Sequence, residues 1–201
     1  TPPEGVDGSR DPVGVIDFSN PEAVAWYQEQ LRNLLQMGVA VIKTDFGENA
    51  DENYIYKTID GAEMHNLYPL LYNAAAYEVC EQVHGDEALV WGRSAYAGGQ
   101  RFPLYWGGDS DSDYHGMYND LRGGLSMGLT GFPFWSHDVG GYFGRPDPDV
   151  YIRWVQLGML SSHVRFHGTT AREPWHYGET AVEVYRRYAA LRYSLIEYLY
   201  A

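Results

Sequence analysis

The chain has 201 residues, 45% of them hydrophobic, enough apolar material for one buried core of domain size or for one piece of a larger domain. Its net charge of −13 excludes a basic, phosphate-tracking nucleic-acid surface, and no apolar run reaches the length of a membrane span. Cys80 is the single cysteine, which excludes an internal disulfide and a thiolate metal cluster and fits a reducing compartment, the cytoplasm.

The opening TPPEGVDGSRDP reads as polar loop, a start in mid-loop that suggests excision from a longer chain. VGVIDF (13–18) reads as a short strand. Asn20 caps a helix with Pro21 in its first turn, Val24, Tyr27, Leu31 and Leu34 recur at helical spacing, and Gly38 stops it. VAVIKTDFGE (39–48) follows. Its apolar residues are continuous rather than alternating, as in a strand buried on both faces of a parallel sheet. A helix is expected over 65–83, with Pro69 near its start, and then strands at ALVWGRS (88–94) and FPLYWGGD (102–109). Further helices are expected over 114–128, 149–160 and 179–200, separated by strands at GFPFWSHD (131–138) and HVRFHG (163–168). The last helix places Val182, Tyr185, Tyr188, Ala189 and Leu195 near one stripe.

Alternation of strand and helix predicts parallel strands with helical crossovers, in either a doubly wound sheet or a (β/α)8 barrel. The strand ends favour the barrel. Successive strands close on Asp45, Arg93, Asp109, Asp138 and His167. A barrel gathers its C-terminal strand ends into one catalytic mouth, whereas an open sheet concentrates function at a switch point. Five firm strands fall short of eight, so the expected fold is an incomplete (β/α)8 TIM barrel, its C-terminal five or so units, over residues 1–201.

Asp45 and Asp109 end different strands, and glycoside hydrolysis needs such a pair of carboxylates: one to attack or to activate water, one to protonate the leaving oxygen. Lys43 and Arg93 would keep a nucleophile ionised. The competing reading makes both aspartates helix caps or arginine partners. DSDSDYHGMYND (109–120) has EF-hand carboxylate spacing, but Tyr114 stands where the loop needs glycine and an aromatic strand precedes it, so calcium is set aside. Asp111 and Asp113 then belong to the start of the next helix. His163 and His167 are four apart without the glutamate of a helical zinc motif, and on a strand they lie too far apart to chelate one ion readily. Nucleophilic-serine and phosphate-loop motifs are absent. Phe46, Trp106 and Trp135 lie beside the strand-end acids, as a sugar platform or as barrel core.

Several blocks in order resemble glycoside hydrolase family 31: KTDFGE (43–48), GRS (92–94), WGGD (106–109), FWSHDVGG (134–141) and RFHG (165–168). KTDFGE looks like the family's nucleophile motif in its α-xylosidase-like form, and WGGD is similar to its acid/base motif. The resemblance covers essentially the whole chain from DFSNP (17–21). It implies a catalytic (β/α)8 barrel, a retaining, double-displacement mechanism, and no metal or organic cofactor. In it Asp45 is the nucleophile and Asp109 the acid/base. Arg93, Asp138 and His167 bind sugar hydroxyls, and Phe46 and Trp106 line the same subsite. Lys43, where glucosidases often carry tryptophan, points to removal of terminal α-xylosyl residues from oligosaccharides. An α-glucosidase or transglycosylase is the alternative within the family, and a non-catalytic carbohydrate-binding fragment the alternative outside it. The family's early barrel strands are missing from the chain. Two open sheet edges and an apolar wall then expose the incomplete barrel to association or misfolding, and a homo-oligomer through the full-length parent is a separate expectation.

Overall fold

The computed structural model describes residues 14–200. Two compact units divide between Leu104 and Tyr105.

In the first unit, helix α1 (Pro21–Gln36) starts where Asn20 Oδ1 accepts a hydrogen bond from the Glu22 amide at 3.2 Å. It ends at Met37, with Gly38 in the left-handed region at φ +105°. Its inward residues are Leu31 and Leu35. Leu34, expected on that stripe, is exposed, because the buried face runs from Leu31 to Leu35, four positions on rather than three. Strand β1 (Ile42–Thr44) pairs in parallel with β2 (Val90–Gly92), in the register Ile42 with Val90 and Thr44 with Gly92. Helix α2 (Gly61–His84) crosses between them. Leu31, Leu35, Ile42, Val79, Cys80 and Val90 make one core, each such side chain contributing about 1.5–3 kcal/mol by leaving water.

Helix α2 begins earlier than the sequence suggests. Asp60 caps it by accepting from the Ala62 amide at 3.0 Å, and Pro69 lies inside it. An interior proline costs about 3 kcal/mol, which the buried Met64 and Tyr68 offset against Phe18, Ala50 and Ala75. The expected strand at 13–18 is not one. Val13 lies outside the described residues, and 14–18 form no ladder. Val15, Ile16 and Phe18 instead join an aromatic cluster in which the Phe18 ring lies 5.2 Å from Tyr68 and 5.4 Å from Tyr72.

In the second unit, β3 (Leu104–Trp106) pairs in parallel with β4 (Trp135–Ser136), Tyr105 with Trp135 and Trp106 with Ser136. Helix α3 (Tyr114–Leu129) starts at Asp113, whose carboxylate accepts from the Gly116 amide at 2.7 Å, as expected of that residue. Gly124 is required on α3, since a Cβ there would collide with the Trp135 ring. Helices α4 (Pro148–Met159) and α5 (Glu179–Ser194) follow, and a break at Leu195 sets off the short α6 (Ile196–Tyr200). Val139, Tyr151, Trp154, Val155 and Ala181 form the core, with Phe166, Tyr185, Tyr188 and Ala189 packed on it. The Tyr151 and Tyr177 rings stack at 3.9 Å.

Regular pairing is shorter than the apolar runs. VAVIKTDFGE yields a three-residue strand because 45–48 turn away to carry side chains. HVRFHG forms one parallel bridge, Asp138 with Arg165, where the Val139 amide donates to the Arg165 carbonyl at 3.0 Å.

Candidate active site

In the first unit, the end of β1 places Asp45 between two cations. Lys43 Nζ lies 2.7 Å from Oδ2 and Arg93 Nη1 3.2 Å from Oδ1, while the Phe46 amide donates to Oδ1 at 3.0 Å. Partial burial works to raise the Asp45 pKa. The hydrogen bonds from Lys43 and Phe46 and the charges of Lys43 and Arg93 outweigh it and hold the carboxyl below its ordinary value of 3.8. Asp45 therefore stays a carboxylate at neutral pH.

Phe46 adopts φ +59°, a left-handed backbone that costs a bulky residue about 1–3 kcal/mol. Ser94 Oγ donates to the Phe46 carbonyl at 2.7 Å, and the Arg93 guanidinium lies 4.4 Å from the centre of its half-exposed ring. Arg93 also pairs with Glu48. Beneath these groups the buried Asn73 of α2 accepts from Thr44 Oγ1 and donates to the Ser94 carbonyl at 3.0 Å, so one helix side chain fixes both strand ends. Lys43, Asp45, Phe46 and Arg93 thus converge. Glu48, Ser94 and Asn73, which hold them, were not singled out in the sequence; only the position of Asn73 on the inward face of α2 signals it.

In the second unit, Trp106 ends β3 with 2% of its surface exposed, and the turn through Gly108, at φ +82°, brings Asp109 to an exposed position. Asp138 is fully buried and held by Arg165 through two hydrogen bonds, Nε to Oδ1 at 2.6 Å and Nη2 to Oδ2 at 2.8 Å. The same guanidinium lies 5.4 Å from the Trp106 ring centre. His167 is exposed, with its ring 5.3 Å from Tyr142, and borders an open cavity of about 350 Å³ lined also by Arg172, Glu173 and Trp175. Arg165 was missed in the sequence, although it lies two positions before His167 and therefore on the same face of an extended segment.

Trp135 departs from expectation. Strand alternation puts Trp135, His137 and Val139 toward the helices and Ser136 and Asp138 on the opposite face. The Trp135 ring packs over Gly124 and sits 6.0 Å from His137, so it belongs to the helix layer and not to a sugar platform. His137 accepts a hydrogen bond at Nδ1 from Trp154 Nε1 at 2.8 Å, and burial lowers its pKa to about 4, leaving a neutral structural imidazole.

Two buried groups beneath the loops were also unread. Asp120 of α3 accepts from Ser110 Oγ at 2.8 Å, and burial pushes its pKa up to about 6. Arg172, 4% exposed, donates to the carbonyls of Gly141 at 2.7 Å, Gly144 at 3.0 Å and Thr170 at 3.0 Å and to Ser112 Oγ at 3.1 Å, tying three loops together. Among the described residues no group of three or more His, Cys, Asp or Glu side chains could hold a metal ion.

Comparison with known proteins places this arrangement. The family model described as the glycosyl hydrolases family 31 TIM-barrel domain matches residues 3–201, in agreement with the expected partial (β/α)8 barrel. The chain is 46% identical over 193 residues to an alpha-xylosidase of Emericella nidulans, covering 94% of this chain and 25% of that protein. It is 44% identical over 200 residues to alpha-xylosidase XylQ of Lactiplantibacillus pentosus, covering 93% and 25%. The cycloalternan-degrading enzyme of Trueperella pyogenes, solved in complex with a covalent intermediate, superposes with a TM-score of 0.83 at 27% identity, over 91% of this chain and 27% of that one. The chain thus spans about a quarter of the length of these relatives.

Proposed function

The chain belongs to glycosyl hydrolase family 31, and on that premise we propose that it carries the catalytic groups of a retaining α-xylosidase. One observation carries the reading: a carboxylate at a parallel strand end, kept ionised by Lys43, Arg93 and the Phe46 amide and still partly open to solvent. This is what a nucleophile needs, since a protonated carboxyl cannot attack. In the first step Asp45 bonds to the anomeric carbon as the bond to the leaving oxygen breaks, and Asp109 gives that oxygen its proton. In the second, Asp109 takes a proton from water, the water oxygen bonds to the anomeric carbon, and Asp45 departs, so the configuration is retained. The covalent intermediate named for the Trueperella enzyme supports a two-step course.

Arg93, Phe46 and His167 bind the cleaved sugar in this reading, of an oligosaccharide whose terminal residue is α-xylosyl, whereas Trp106 and Asp138, expected beside them, are buried with Arg165 and offer a sugar no surface. The two α-xylosidase relatives support xylose. Relatives named for α-glucosidase activity also match, and the ratio of kcat/KM on α-xyloside and α-glucoside separates the two. The single, buried thiol of Cys80 supports a cytoplasmic site of action.

The test is Asp45→Ala in the full-length protein, assayed on an aryl α-xyloside. A loss on the order of 10³-fold or more is expected, with azide restoring turnover and giving the inverted glycosyl azide. Retained activity removes Asp45 as nucleophile.

A further inference from the structure

Asp120 lies outside every role assigned above, yet it reaches the turn that carries Asp109. It stands on α3 with 8% of its surface exposed, and its two oxygens have different neighbours. Oδ2 accepts from Ser110 Oγ at 2.8 Å. Oδ1 fills the space beside Gly107, where a Cβ would come within 2.7 Å of it. The turn is anchored at the same two residues by its backbone. The Gly107 amide donates to the Ser136 carbonyl at 3.0 Å, and the Ser110 carbonyl accepts from Tyr142 at 2.8 Å and Phe143 at 3.0 Å. Asp109 sits between these anchors.

We propose that Asp120 is a positioning residue for Asp109, fixing the 107–110 turn by its hydrogen bond from Ser110 and its packing against Gly107, and so setting where the Asp109 carboxyl presents its proton. The inference rests on the reading of Asp109 as the acid/base. A small displacement of a proton donor costs far more in rate than in stability, because the donor must meet the leaving oxygen as its bond breaks.

The charge of Asp120 adds a second effect. Burial raises its pKa, the Ser110 hydrogen bond opposes this, and the Asp138 carboxylate on the adjoining β4 side, itself held by Arg165, raises it further, to about 6. Above that pH Ser110 donates to a carboxylate, and the anchor of the turn becomes charge-assisted.

The test uses the full-length protein with two substrates, an aryl α-xyloside whose leaving group departs without a proton and a xylosyl disaccharide whose leaving group requires one. Read in kcat/KM, which reports the step that expels the leaving group, Asp109→Ala is expected to lose the disaccharide activity selectively. Asp120→Leu and Ser110→Ala are each expected to show the same selectivity, on the order of tenfold or more. Asp120→Asn, which keeps volume and an acceptor for Ser110, is expected to keep the substrate ratio. If Asp109→Ala affects both substrates alike, the acid/base reading falls and this inference with it. If Asp109→Ala is selective while Ser110→Ala and a folded Asp120→Leu are not, only the inference falls. Should Asp120→Leu fail to fold, Ser110→Ala decides.

Discussion

Arg165 closes both oxygens of Asp138 in a fork, at 2.6 and 2.8 Å, around a carboxylate that has no solvent-exposed surface. A charge so placed is tolerable only while its counter-charge stays. Arg165→Ala is expected to destabilise the protein by ~3–5 kcal/mol, the cost of leaving a buried carboxylate uncompensated. Asp138→Asn combined with Arg165→Met should cost less than Arg165→Ala alone. Urea denaturation of the two variants, followed by tryptophan fluorescence, checks the order; equal stability of Arg165→Ala and the parent would refute it.

Lys43 acts on function through the charge state of its neighbour. Asp45 is depressed below 3.8 against its partial burial by the Lys43 hydrogen bond and the Phe46 amide, and by the Lys43 and Arg93 charges. A nucleophile must be deprotonated, so activity falls as pH drops through its pKa, and the acid limb of kcat/KM lies below the ordinary carboxylate range. Removing the ammonium raises that pKa. Lys43→Met is therefore expected to move the acid limb to higher pH, and an unmoved limb would separate Lys43 from the nucleophile's ionisation. The affected carboxyl is well exposed, so the change belongs to the pH profile rather than to global stability.

Arg172 is expected to behave as a structural clamp. Its guanidinium donates to three loop carbonyls and one hydroxyl at 2.7–3.1 Å in a buried position. Arg172→Ala leaves several buried acceptors without their donor, for an expected loss of ~2–4 kcal/mol. Arg172→Lys should recover little, because an ammonium cannot present the planar fork of donors that reaches separate loops. Limited proteolysis is the direct assay. Faster cleavage within 141–144 in both variants is expected, and parental cleavage rates in Arg172→Lys would show that charge alone suffices.

What could be read in sequence was whatever stands at a strand end or a helix start. Asp45, Arg93 and Asp109 follow apolar runs, and Asn20 and Asp113 precede helical periodicity, so local pattern located them. Whether Trp135 served a sugar platform or the core stayed open in sequence because β4 is two residues long and its alternation is set by pairing with β3, which no local pattern reveals. The start of α2 was read late, at 65 with Pro69 near it, because a proline is tolerated near a helix start; only the buried Met64 and Tyr68 show that the helix begins a turn earlier, at Gly61. Asn73, Asp120, Arg165 and Arg172 stayed hidden for a common reason. Each is an ordinary polar residue until folding sets it against its partner, ten positions away for Asp120 and Ser110 and 60 for Arg172 and Ser112.

His137 gives the second unit a built-in sensitivity to acid. It is 1% exposed, accepts from Trp154 at 2.8 Å, and has its pKa lowered by burial, and further by the nearby His163, to about 4. In the unfolded chain the imidazole titrates near 6.5. Above pH 6.5 both states hold it neutral and the folded state keeps its full stability. As pH falls from there toward 4, the unfolded state takes up a proton that the folded state refuses, and stability drops, by roughly 3 kcal/mol over the window at most. His137→Gln is expected to lower stability at pH 7 through the altered Trp154 contact, yet to flatten its decline between pH 6.5 and 4. Urea midpoints at pH 7, 6 and 5 test this, and a parallel decline in parent and variant would assign the acid sensitivity to other groups, His163 first among them.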